Sequence, residues 1–156
     1  MKTLEHLLDL AIEQEIGAQK LYAQGAEIAT DEKTRQFLRR LEKEEIEHEK
    51  MLYNIKVTGM YDLTLPIPDE SIFEIARESH GGNTMEMNKN WKIEDIWEIA
   101  LKREYLARQR YLKAAESVQD EELVTLFNNL AQDEENHHRV VEKQFKMHTG
   151  QMREEF

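Results

Sequence analysis

The chain has 156 residues, of which 40% are hydrophobic and 34% charged, so it holds enough apolar material for one compact domain and too little for two. Its 2 prolines and 6 glycines are too few for the many turns of an all-β fold, and the lack of cysteine excludes disulfides, thiolate catalysis, iron–sulfur clusters and Cys-ligated zinc. A net charge of -11 would repel a nucleic acid, and no run of about 18 apolar residues is present to span a bilayer. We therefore expect a cytoplasmic, all-α protein with neither nucleic acid nor membrane as a partner.

Four long helices are predicted in chain order, near residues 3–29, 31–57, 92–118 and 120–148, because apolar residues recur there at alternating spacings of four and three. Each would be roughly 40 Å long. The connections within each pair are so short that the paired helices must run antiparallel. One hairpin cannot cover its own apolar stripe, so the sequence predicts an antiparallel four-helix bundle made of two hairpins, 3–57 and 92–148.

The crossover between the hairpins, residues 58–91, contains both prolines and three of the glycines, so a continuous helix is excluded there. Because this segment joins the two hairpins, it has to run along the length of the bundle. We predict an extended piece followed by a short helix around residues 70–78. Residues 1–156 are expected to form a single domain.

The second hairpin repeats the first at an offset of 89 residues without a gap. Most stripe positions are apolar in both halves, and the Glu, His and Tyr exceptions fall in matching places. In the first half they are Glu15, Tyr22, Glu45 and His48, and in the second half Glu104, Tyr111, Glu134 and His137.

Four carboxylates in an apolar interior would be prohibitively costly without positive charge beside them, and the stripe positions contain no Lys or Arg. Two divalent cations would neutralise them. In each Glu-x-x-His pair the side chains are three residues apart on one helix face, so they can hold a shared ion. Oxygen and imidazole nitrogen without sulfur suit iron or manganese best, with zinc or cobalt able to compete. We therefore predict two iron ions, or alternatively two manganese ions, bound by the four Glu and two His residues.

Several side chains have competing interpretations. Glu135 and His138 form a third Glu-x-x-His match, but they lie off the stripe, so the register favours His137 over His138. The hydroxyls of the two stripe tyrosines can donate to ligand carboxylates, can hold electrons transiently, or can simply be packed. The remaining unmatched histidines, His6, His80 and His148, are expected on the surface or in the crossover, and residues 85–87 either fill a loop or shape a pocket mouth.

These motifs resemble those of the ferritin-like di-metal carboxylate superfamily, in particular its rubrerythrin-like branch. The resemblance covers both hairpins and leaves the crossover unmatched. The matching runs are Glu15-x-x-Ala18-x-x-x-Tyr22, Glu45-Ile46-Glu47-His48, Glu104-x-x-Ala107-x-x-x-Tyr111 and Glu134-Glu135-Asn136-His137.

The resemblance implies a di-iron oxidoreductase that reduces hydrogen peroxide or dioxygen, with Tyr22 and Tyr111 beside the reacting centre. Full-length rubrerythrins carry a rubredoxin-like Cys₄ iron domain, so this cysteine-free chain is expected to take electrons from a separate donor protein. Peroxide-reducing rubrerythrins also have an extra Glu where this chain has Ala107. A dimanganese catalase, a ferritin-like iron-binding or ferroxidase protein, and a purely structural metal clasp are the alternatives. A homodimer is expected.

Overall fold

The computed structural model describes residues 1–78 and 90–149, and these residues form five helices. The four long helices begin and end within one residue of the predicted bounds, and the short helix lies where it is predicted. The predictions for His80 and for residues 85–87 lie outside the described residues. The helices are α1 (Leu4–Ile28), α2 (Glu32–Val57), α3 (Ser71–Glu78), α4 (Ile93–Ser117) and α5 (Glu121–Thr149).

The two hairpin turns are built alike, because an aspartate caps the second helix of each. Asp31 accepts a hydrogen bond from the Thr34 backbone N–H at 2.9 Å, and Asp120 accepts one from the Glu122 N–H at 2.9 Å. Each carboxylate satisfies a backbone donor that has no partner within the first turn of its helix. The two aspartates are 89 residues apart, so the repeat extends to the turns.

The hairpins are α1 with α2 and α4 with α5, and they meet where α1 packs against α4. Gly25 marks the closest approach. A Cβ built there would lie 2.9 Å from Cγ2 of Ile96 on α4 and 3.1 Å from a methyl carbon of Leu38 on α2. The absence of a side chain at residue 25 therefore allows the two hairpins to pack closely.

The first part of the crossover is fastened to the start of α1. The backbone N–H groups of Leu4 and Glu5 donate to the carbonyl oxygens of Leu65 and Leu63 at 2.8 and 3.0 Å, and the Ile67 N–H donates to Lys2. These bonds satisfy N–H groups of the first helical turn, which have no partner inside the helix. α3 then packs against α4 and α1.

The core consists of two hydrophobic clusters, one toward each end of the bundle. One gathers Leu4, Leu8, Leu52, Phe127 and Leu130 with their neighbours, and the other gathers Leu21, Leu38, Ile96, Trp97 and Val141 with theirs. Trp97 is fully buried in the second cluster. On every long helix the residues between the two clusters include a buried Glu. None of the helices within the described residues is long and apolar enough to cross a bilayer.

Candidate metal centre

A polar layer lies between the two hydrophobic clusters and contains all six of the predicted ligands. α1 and α4 contribute one Glu each, and α2 and α5 contribute one Glu-x-x-His pair each. All six side chains are buried, with between 1% and 6% of each residue exposed. The structure therefore brings together the set Glu15, Glu45, His48, Glu104, Glu134 and His137.

The six residues divide into two overlapping groups of four. In each group, one ligand atom from every residue lies within 4.8 Å of the others. Glu45 and Glu134 belong to both groups, so their carboxylates lie in the middle of the cluster. The first group is Glu15, Glu45, His48 and Glu134, and the second is Glu45, Glu104, Glu134 and His137.

The geometry of the cluster follows the internal repeat. Nδ1 of His48 lies 3.1 Å from Oε1 of Glu134, and Nδ1 of His137 lies 3.0 Å from Oε1 of Glu45. Each Nδ1 also lies 3.5 or 3.6 Å from the carboxylate that belongs only to its own group. The offset of 89 residues maps each contact onto its counterpart, so the cluster has an approximate two-fold axis between the hairpins.

Both imidazole rings are oriented by carboxylates at the edge of the cluster. Nε2 of His48 hydrogen-bonds Oδ2 of Asp133 at 3.2 Å, and Nε2 of His137 lies 3.0 Å from Oε2 of Glu44. When Nε2–H donates outward, Nδ1 presents its lone pair inward, as metal-bound histidines require. Sequence analysis missed Asp133 and Glu44. The available signal was that each directly precedes the Glu of a Glu-x-x-His pair, in repeat-related positions.

The two stripe tyrosines donate hydrogen bonds across the hairpin interface. The Tyr111 hydroxyl donates to Oε1 of Glu15 at 2.6 Å, and the Tyr22 hydroxyl donates to Oε1 of Glu104. Burial, reinforced by the neighbouring carboxylate charge, raises the pKa of both phenols well above the usual value. Both therefore stay protonated and act as hydrogen-bond donors at neutral pH.

The crowding of charges perturbs the titration of the cluster in the metal-free protein. Burial, together with the charges of Glu15 and Glu104, raises the pKa of Glu45 to about 8. Burial alone would lower the pKa of His48, but the adjoining Glu134 and Glu15 carboxylates raise it to about 12. In the absence of metal ions the cluster therefore retains protons on groups that could bind a cation.

The buried polar atoms of the cluster show whether it suits metal ions. One inward-facing atom on each of the six side chains is buried and has no hydrogen-bond partner among the described residues, although oppositely charged groups lie nearby. Buried polar atoms are nearly always paired, so six such atoms in one place call for an explanation. They are Glu15 Oε2, Glu45 Oε1, His48 Nδ1, Glu104 Oε2, Glu134 Oε1 and His137 Nδ1. Metal ions would satisfy all of them with the oxygen and nitrogen donors such ions accept.

The family model for rubrerythrin matches residues 5–145 of this chain. The chain belongs to the rubrerythrin family. Among solved structures, a hypothetical protein from Pyrococcus furiosus is similar at 26% identity with a TM-score of 0.69, and the match covers 92% of this chain and 89% of that one. No curated protein matches the chain significantly. Membership of the rubrerythrin family and the buried Glu/His cluster together indicate a metal site.

The other histidines lie outside this rubrerythrin-type cluster. His138 is only half-buried and belongs to neither group of four, as the register predicts. His6 and His148 are exposed, which confirms their predicted surface positions. His6 helps to cap α1 through its contacts with Thr3.

Two buried arginines on α4, Arg103 and Arg110, were missed by the sequence analysis. They are 5% and 1% exposed and line a cavity of about 10 Å³ beside Glu104 and the other three carboxylates of the cluster. Burial and the neighbouring Arg110 charge lower the pKa of Arg103 to about 10, so it stays protonated at neutral pH. Arginines beside the stripe are usually exposed, so their burial could not be predicted from their position in the sequence. The offset of 89 places them opposite Gln14 and Leu21, which breaks the repeat.

Proposed function

We propose that this rubrerythrin-family protein is a di-iron carboxylate oxidoreductase that reduces hydrogen peroxide or dioxygen. The observation that carries the proposal is a set of six buried oxygen and nitrogen atoms that have no hydrogen-bond partner in the described part of the chain, one from each of four Glu and two His residues. This is the ligand set of di-metal carboxylate bundles. The family model over residues 5–145 supports the same proposal independently.

On this proposal Glu45 and Glu134 would contribute to both metal sites, because they are the residues common to both groups of four. Glu15 and His48 complete the first site. Glu104 and His137 complete the second. The four carboxylates offset the charges of two divalent cations, which removes the electrostatic cost of burying them.

A bound pair of redox-active ions supplies the two electrons that reduction of peroxide requires. The remaining tasks fall to the protein. The hydrophobic clusters on either side of the polar layer exclude water. Tyr22 and Tyr111 donate hydrogen bonds to the terminal carboxylates and fix their orientation beside the reacting centre.

The proposal includes a separate electron-donor protein, since the chain has no cysteine to form a rubredoxin-type iron site. It also includes a homodimer acting in the cytoplasm. Sedimentation of the purified protein checks the assembly, and a shell of many subunits would instead favour an iron-storage protein.

The proposed reaction can be tested in a single turnover. The protein is loaded anaerobically with two equivalents of Fe²⁺ and mixed with one equivalent of hydrogen peroxide in a stopped-flow spectrometer. We expect ferric absorption to appear at a rate well above that of free Fe²⁺ under the same conditions. The matched variants are Glu104→Gln, which should lose the fast phase, and Glu13→Gln, which alters an exposed Glu on α1 and should retain it. A loaded protein that is not oxidised faster than free iron would contradict the proposal and leave the structural-clasp alternative.

A dimanganese catalase is the second candidate, because the nearly equal contacts of the two histidines form a symmetric site. Ala107, where peroxide-reducing rubrerythrins have Glu, also lines the cavity beside the cluster. Metal analysis after purification without added metal, combined with oxygen evolution from hydrogen peroxide in the absence of reductant, distinguishes the two candidates. Manganese with sustained oxygen evolution would favour the catalase.

A further inference from the structure

The cavity of about 10 Å³ beside the carboxylate cluster has a lining of mixed charge. Four cluster carboxylates lie on one side, and Gln14, Arg103 and Arg110 complete the lining together with two alanines. The histidines are not part of this lining, so the cavity opens on the α1 and α4 side of the cluster, away from the imidazoles. It is therefore a place where a molecule could approach bound metal ions without displacing a histidine.

Arg110 is the unusual member of this lining. It is 1% exposed, and its Nε has no hydrogen-bond partner among the described residues. Its guanidinium carbon lies 5.2 Å from the centre of the Tyr111 ring, which packs against it. A buried guanidinium without a full set of partners costs free energy unless an anion satisfies it.

Charge balance points to an anion as the missing partner. Two divalent cations would neutralise the four carboxylates, so the positive charge of Arg110 would remain uncompensated in a buried layer. Arg103 contributes a second positive charge to the same lining. Arginine also differs from lysine in presenting several fixed N–H donors, which suits recognition of a small anion.

The repeat shows that these charges are not needed to build the bundle. The residues equivalent to Arg103 and Arg110 in the first hairpin are Gln14 and Leu21, and both are buried in the same fold. The arginines therefore occur in only one half of an otherwise symmetric site, and both line the cavity between α1 and α4.

We propose that Arg103 and Arg110 make this cavity a binding site for one small anion, held against the metal centre. The inference rests on the proposed dinuclear centre and deepens it. A cavity of about 10 Å³ holds roughly one water-sized group, so an anion of about one heavy atom fits without rearrangement.

Fluoride binding to the cobalt-loaded protein tests this inference without an activity assay. Cobalt(II) absorption bands report both loading with two ions and the arrival of an anion. We expect saturable fluoride binding to the wild type, with acetate at least about tenfold weaker because it is too large. Arg110→Leu, which introduces the residue of the other hairpin, should weaken fluoride binding by at least about tenfold, a difference of about 1.4 kcal/mol. Arg103→Gln should weaken it as well.

Arg108→Met is the matched control, because Arg108 lies on the same helix but is half-buried outside the cavity lining and pairs with Glu135. It should bind fluoride like the wild type. Equal fluoride affinity in Arg110→Leu and the wild type, or equal affinity for fluoride and acetate, would overturn the anion site while the metal centre stands. Failure of the wild type to bind two cobalt ions would overturn the dinuclear centre and the anion site together.

Discussion

At the scale of single residues, the two cluster histidines use both ring nitrogens. Nε2 of His48 meets Asp133 on the outside, and Nδ1 faces the carboxylates inside. The outer contact fixes the ring and its tautomer, which leaves the inner nitrogen poised as a ligand. The same arrangement at His137, with Glu44 as the outer partner, makes the two ends of the cluster chemically equivalent.

Neighbouring histidines allow a direct test of the ligand assignment. His137→Gln removes an inward-facing donor, so we expect the affinity for the second metal ion to fall by at least about tenfold, in line with the losses seen when even outer partners of ligands are removed. His138→Gln changes a half-buried histidine outside the cluster and should bind two ions like the wild type. Metal titrations followed by calorimetry measure both. A weaker second site in His138→Gln and a normal one in His137→Gln would reverse the assignment.

The tyrosine hydroxyls should contribute to stability as well as to orientation. Tyr111→Phe leaves Oε1 of the buried Glu15 without its donor, so the free energy of unfolding of the metal-free protein should fall by about 1–3 kcal/mol. Tyr22→Phe should have a similar effect through Glu104. Tyr61→Phe removes a surface bond to Glu122 and should change stability less. Urea denaturation measures all three, and equal losses would show that burial of the bond is unimportant.

The six cluster residues could be predicted from sequence because each breaks an apolar stripe in both halves of the repeat. A single Glu-x-x-His motif is weak evidence for a metal site. Its recurrence at the equivalent stripe positions of the second hairpin supplied the additional evidence. Arg103 and Arg110 could not be predicted, because they lie beside the stripe, and whether a flanking residue is buried depends on how closely α1 approaches α4. The outer partners Asp133 and Glu44 were hidden for a similar reason, since their roles depend on contacts between α2 and α5.

At the scale of the elements, the first part of the crossover holds the start of α1. Ile67 is 1% exposed in the cluster that contains Leu4, whereas Leu65, two residues earlier, is 46% exposed. The backbone bonds from Leu4 and Ile67 run between the same two segments.

Truncation of these two side chains should therefore have unequal effects. Ile67→Ala opens a cavity in the core and loosens the bonds to α1, so the free energy of unfolding should fall by about 2–5 kcal/mol. Leu65→Ala removes an exposed side chain from the same segment and should change it by less than about 1 kcal/mol. Denaturation curves measure both. Similar values for the two variants would show that the crossover is not part of the folded core.

The helices themselves were predictable because the alternating spacing of four and three residues continues along each of them from one turn signal to the next. Asp31 and Asp120 cap the second helix of each hairpin, and Gly59, with φ of 73°, follows the end of α2. The attachment of the crossover to α1 was not predictable. It is made by backbone N–H and carbonyl groups, which every residue has, so the sequence carries no specific sign of it.

At the scale of the whole molecule, a charged layer lies between two hydrophobic clusters, and its free energy depends on what neutralises it. In the metal-free protein, protons take that role. Burial raises the pKa of Glu45 to about 8, and the neighbouring carboxylates raise that of His48 to about 12 despite its burial. Both values lie above those of the unfolded chain, so folding favours the protonated forms. The contribution of these two groups to the free energy of unfolding is therefore present at low pH. It is lost as the pH rises toward their pKa values in the folded protein.

Metal ions would replace these protons, which makes metal binding and pH interdependent. At pH 7 both Glu45 and His48 are mainly protonated in the metal-free protein, so we expect uptake of two divalent ions to release about two protons or more. Calorimetric titration in buffers of different ionisation enthalpy counts them. Affinity should therefore rise with pH between 6 and 8.

The same linkage predicts that the melting temperatures of the metal-free and the metal-loaded protein depend differently on pH. The melting temperature of the metal-free protein should fall between pH 6 and 8.5, because Glu45 loses its proton in that range and adds a negative charge to the buried carboxylate cluster. The loaded protein should resist this fall, because bound cations favour the deprotonated ligands. The gap between the two melting temperatures should therefore widen with pH. Glu13→Gln should leave that gap unchanged, since Glu13 is exposed. A gap that narrows as the pH rises would mean that protons and metal ions do not compete for the same atoms.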